Sequence, residues 1–230
     1  MKKMSFIFLV LVLNSGCENL PKLTPDNSSD LSSYEIGKIH NEILTYYDSK
    51  IRPDMTNEDI VFLIENYLVC EKKYDPLLVS EETSKIMSSA EYCEMFLSKS
   101  EFDSSSIMAY LDAIEKKLNP SDKLMNAIRK AFTLGEEYDA DFVKDFLVNN
   151  VENKSWTGID KDVAKVFMDV FTHSYEYWTK SFETKKLKRS SLVILYDAGG
   201  AIHGMIFGPF GSIIESALLS VAANERLPED

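Results

Sequence analysis

From Leu192 to Ala223 the chain runs for 32 residues with only Asp197 and Glu215 charged. A stretch this apolar has to be hidden from water, because each large aliphatic or aromatic side chain left exposed forgoes about 1.5–3 kcal/mol of burial. Five of the nine glycines fall between Gly199 and Gly211. At four-residue spacing Gly200, Gly204, Gly208, Ser212, Ser216 and Ser220 make a ridge of small residues, the pattern that lets two helix backbones approach closely. Pro209 interrupts it, since proline has no N–H for the carbonyl of Met205 and its ring crowds that turn. Gly208-Pro209-Phe210-Gly211 therefore reads as a turn between two arms, about 191–207 and 211–225. At the helical rise each arm is roughly 23–26 Å long, short of a hydrocarbon layer of about 30 Å. Three readings follow: a helical hairpin buried against the rest of the protein, a membrane-associating hairpin, and a self-association surface. In the second, Lys180, Lys185, Lys186, Lys188 and Arg189 would sit on anionic head groups. The buried hairpin is preferred, because apolar helices of this length are ordinary core elements.

Upstream, helical periodicity dominates. Ile36, Ile39, Ile43, Leu44 and Tyr47 form one stripe, and Pro53 ends that segment. Thr56 with Asp59 three residues on resembles a capping box ahead of Ile60, Leu63, Ile64, Tyr67 and Leu68. Further helices are expected over about 81–98 and 104–118. Asn119-Pro120-Ser121-Asp122 is a turn and a fresh cap, followed by a short helix stopped near Gly135. Another helix spans Asp139 to Val148, and a polar loop carries Trp156. The longest stripe, Val163, Val166, Phe167, Val170, Phe171, Ser174, Trp178 and Phe182, opens at Asp160. Outside the extreme N-terminus no segment alternates with a period of two. The expected fold class is all-α, an irregular helical bundle with a glycine-rich C-terminal helical hairpin.

The N-terminus sets location. Lys2 and Lys3 precede the apolar run Phe6 to Leu13, which is too short to span a bilayer permanently. Asn14-Ser15-Gly16-Cys17 follows, and small residues ahead of a cysteine here resemble the lipobox of bacterial lipoproteins. That resemblance implies cleavage before Cys17 and lipidation of its thiol. An ordinary cleaved secretory signal is the simpler alternative. Residues 18–33 are rich in Pro, Asn and Ser and read as a flexible tether. The expected organisation is a signal peptide at 1–16, lipidated cysteine and tether at 17–33, a helical domain at 34–189 and the hairpin at 190–230. Cys70 and Cys93 remain, either bridged in an oxidising compartment or as two buried thiols.

Chemistry is sparse. The net charge of −12 disfavours nucleic acid as a partner. His40, His173 and His203 are the only histidines, and no two have the i, i+4 spacing of a helical metal site. Each reads as a structural histidine. No serine lies in a Gly-x-Ser-x-Gly elbow, and Gly199-Gly200-Ala201-Ile202-His203-Gly204 has no preceding strand and no lysine to make a phosphate loop. The adjacent acidic pairs Glu81-Glu82 and Glu136-Glu137 read as solvated faces. No catalytic residue, metal or cofactor is assigned, and an enzyme is not expected.

Two patches carry a resemblance: Gly37-Lys38-Ile39-His40-Asn41-Glu42-Ile43-Leu44, and Asp197-Ala198-Gly199-Gly200-Ala201-Ile202 with the glycines after it. Together they resemble uncharacterised small lipoproteins and secreted proteins of the Bacteroides group of bacteria. The resemblance implies an envelope location and brings no activity. The resulting expectation is a lipid-anchored cell-envelope protein acting by binding or structural interaction. Its partners are the membrane, through Cys17, and an envelope protein or ligand. The alternative is a membrane-active or self-assembling protein working through the hairpin. Inner and outer membrane are not distinguished.

Overall fold

The computed structural model describes residues 35–50, 55–92, 107–181 and 188–226. That part is 83% helical, with nine helices and no strand, so the all-α class is observed. The segments expected to be a signal peptide and a tether, with Cys17 between them, lie outside the described residues, as do Pro53, Cys93, Phe182, Lys185 and Lys186. In chain order the helices are α1 (Ile36–Asp48), α2 (Asn57–Asn66), α3 (Pro76–Met87), α4 (Met108–Leu118), α5 (Asp122–Glu137), α6 (Ala140–Leu147), α7 (Ile159–Ser181), α8 (Lys188–Gly204) and α9 (Pro209–Arg226). Single π-helical turns extend α2 and α6, at Tyr67–Glu71 and Val148–Glu152. A three-residue turn, Ala90–Tyr92, follows α3. Among the described residues no helix is long and apolar enough to cross a membrane.

Local chemistry explains four of the helix starts. Thr56 and Asp59 form the reciprocal capping box that begins α2. Ser121 and Asp139 accept the N–H groups of Leu124 and Phe142 at the starts of α5 and α6. The third helix differs from expectation. It begins at Pro76, preorganised for the first helical position, with the Asp75 carboxylate on the Leu77 N–H. It ends at Met87, not near 98. Gly135 does not stop α5, which runs on to Glu137. A Cβ there would stand 2.7 Å from the Leu195 side chain, so the glycine admits α8.

The hairpin α8–α9 is the centre of the molecule. Every residue from Ser191 to Gly204 and from Phe210 to Ala223 is buried. Helices α4, α5, α6 and α7 pack around α8, and α1, α2 and α3 pack around α9. One apolar cluster runs through both sides of position 190, joining Phe167 and Phe171 to Leu195, Ile202, Ile213 and Leu219. The other helices therefore wrap the hairpin. The two arms are antiparallel and almost touch at the backbone. A Cβ on Gly204 would lie 2.2 Å from the carbonyl oxygen of Gly211, and one on Gly200 would lie 2.7 Å from that of Glu215.

Candidate functional site

The small-residue ridge divides in space. Gly200 and Gly204 line the α8–α9 seam, with the Ser212 backbone against Gly204. Gly208 is in the turn, at φ +132°, where only hydrogen fits beside the Glu82 carboxylate. Glu82, expected on a solvated face, accepts the Gly211 N–H at 2.8 Å and that of Phe210, capping α9 from another helix. Ser220 faces a buried polar centre, while the Ser216 hydroxyl donates to the Ile213 carbonyl at 2.9 Å.

That centre joins α1, α7, α8 and α9. Asp197 and His40 are both fully buried, with Asp197 Oδ2 3.6 Å from His40 Nε2. Trp178 Nε1 donates to the same Oδ2 at 2.9 Å. Ser220 and Ser174 also act on the Asp197 carboxyl, and the Ser216 backbone acts on His40. Proton placement follows from Asn41. Its Nδ2 donates to the His173 carbonyl at 2.8 Å, so its Oδ1 is the atom 3.1 Å from His40 Nδ1. His40 Nδ1 therefore carries hydrogen. Nε2 and Asp197 Oδ2 then face each other as two acceptors, and one proton belongs to the pair. Burial pushes the Asp197 carboxyl up to about 8 and lowers His40 to about 4, so that proton is retained through neutral pH.

Each remaining histidine also meets its own carboxylate. His203 Nδ1 lies 2.5 Å from Glu215 Oε2 across the hairpin, both buried, with Tyr110 of α4 against the imidazole at 4.2 Å between centroids. His173 Nδ1 donates to the Asp169 carbonyl at 2.9 Å and lies 3.5 Å from Asp169 Oδ1. Asp169 Oδ2 in turn accepts the Gly37 N–H at 2.7 Å, and burial raises its carboxyl above the usual range. A Cβ on Gly37 would stand 2.6 Å from the Asp169 carbonyl oxygen, so this contact of α1 with α7 requires glycine. Glu42 is elsewhere, with Lys72 and Tyr67. Among the described residues no three His, Cys, Asp or Glu side chains converge as a metal site.

Gly37 and Asn41 thus fasten α1 to α7, and His40 between them meets Asp197 of α8. Asp169 and His173 open into a cleft of about 640 Å³ between α7 and the loop after α6. Trp156 walls it, its ring held by an Nε1 bond of 2.7 Å to the Val151 carbonyl. Lys154, Lys161 and Lys165 line it together with Glu152 and Met168. Sequence periodicity does not reveal this cleft, since its walls come from a loop and one helix face. Its signal is faint: a tryptophan in a polar loop, and lysines four apart at 161 and 165. Cys70, in the first π turn, is disulfide-bonded.

Comparison with family models, with curated proteins and with solved structures returns no match to this chain.

Proposed function

We propose that this is a lipid-anchored cell-envelope binding protein whose ligand site is the Trp156 cleft. The observation that carries it is the cleft itself. Its volume of about 640 Å³ lies in the range of small-molecule sites. One wall is held by the Gly37–Asp169 and Asn41–His173 bonds and the other by the bonded Trp156 ring, and a preformed site loses less entropy on binding. The lipobox-like segment ending at Cys17 supports the anchor. Action through the glycine-rich hairpin, at a membrane or between copies, would require opening a core in which both arms are buried.

Two measurements test this. Palmitate labelling and membrane fractionation should both be lost in Cys17→Ser, and labelling that persists would end the anchor reading. A thermal-shift screen of small metabolites should give compounds that raise the melting temperature of the mature chain but not of Trp156→Ala. A screen in which hits act equally on both proteins would remove the cleft as the site.

A further inference from the structure

The lining of the cleft specifies its ligand more narrowly than its size does. Lys154, Lys161 and Lys165 supply only donors, and they outnumber Glu152 and Asp169, which as carboxylates supply only acceptors. In a chain of net charge −12 this is a local excess of positive charge. The lysines call for an anionic group on the ligand. The carboxylates call for hydroxyl donors on the same molecule, because a ligand carrying only acceptors would be repelled by them. Trp156 supplies a flat apolar wall, and the cation of Lys123 stands 5.4 Å from its ring centre. A ligand with an anion, several hydroxyls and an apolar ring face meets all three demands.

We propose that the cleft binds an anionic hexose, a sugar acid or a sugar phosphate, with its ring against Trp156 and its charged group toward Lys154 and Lys161. This rests on the cleft being the binding site. Asp169, pinned by Gly37, then accepts from ring hydroxyls.

Calorimetry separates the possibilities with three probes that share one ring: glucose, glucuronate and glucose 6-phosphate. The protein is the mature chain from residue 17 with Cys17→Ser. Glucuronate, glucose 6-phosphate or both should bind at least about tenfold more tightly than glucose, the order expected for a charge-assisted hydrogen bond. Which of the two binds identifies the acid or the phosphate as the natural group. The double variant Lys154→Gln/Lys161→Gln should bring the charged sugars to within about twofold of glucose, and both lysines are exposed enough for the fold to survive their loss. Equal binding of all three sugars, abolished by Trp156→Ala, would overturn the anion requirement and leave the cleft as a binding site. Saturable binding of none, or charged-sugar binding indifferent to the lysine variant, would overturn the proposal. The metabolite screen then decides separately whether the cleft binds anything.

Discussion

Asp197 and His40 hold one proton between them inside the fold, and this makes stability depend on pH in a defined window. Unfolded, Asp titrates near 3.9 and His near 6.5. Between about pH 4 and 6.5 the unfolded pair also carries one proton, on the histidine, so this pair contributes no slope. Above pH 6.5 the unfolded chain releases that proton. The native pair keeps it until the raised Asp197 value of about 8 is passed. Stability therefore falls as pH rises from about 6.5 to 8, by at most about 1.4 kcal/mol per pH unit. Asp197→Asn keeps an amide oxygen to accept from Trp178 and cannot ionise. Urea unfolding at pH 6, 7 and 8 should show a decline in wild type that is absent in Asp197→Asn, and parallel curves would refute the shared proton. In the sequence, Asp197 was visible as one of two charges in an apolar stretch, and His40 as a histidine on an apolar face. That they meet was not visible, because 157 positions separate them and only the packing of α1 against the hairpin brings them together.

The element that organises the fold is the α8–α9 hairpin, and its seam has no slack. The atoms that a side chain at 204 would strike are the backbone of Gly211 and Ser212, which cannot swing away. Gly204→Leu should cost at least the roughly 1–3 kcal/mol typical of overpacking, in the monomer and without lipid. Thermal unfolding of residues 17–230 with Cys17→Ser checks this, with sedimentation against anionic vesicles alongside. An unchanged melting temperature with lost vesicle binding would mean that the seam is not formed in the free protein. The small-residue period and the Pro209 break made this element legible in advance, but the turn falls at 205–208 and not at 208–211, because Pro209 takes the first position of α9. The role of Glu82 was not legible: a carboxylate that caps another helix 129 positions away looks in sequence like any solvated acid.

At the scale of the molecule, the hairpin stands where a core helix pair would, and seven other helices cover it. Amides in its middle can exchange only when that jacket opens, which is the global transition. Native-state hydrogen exchange should therefore find residues 193–203 and 213–221 the most protected in the chain, with exchange free energies equal to the unfolding free energy. The outer turns of α3 and α6, which carry the exposed Leu77 and Phe142, should exchange by local fraying. Faster exchange in the hairpin than in α7 would contradict the central placement.

Secondary structure and its punctuation belong to the sequence, because they depend on neighbours within about four residues: the apolar stripes, the Thr56–Asp59 box, the Ser121 cap and the break at Pro209. The need to bury 192–223 belongs to it too, since 32 residues with two charges have no stable place in water. Tertiary structure alone decided what lies around that segment, which acid meets which histidine, and where a cleft is left open. Those outcomes depend on close approaches between distant backbones, at Gly37 on Asp169 and Gly204 on Gly211. A glycine in a sequence shows that closeness is allowed. It does not show what comes close.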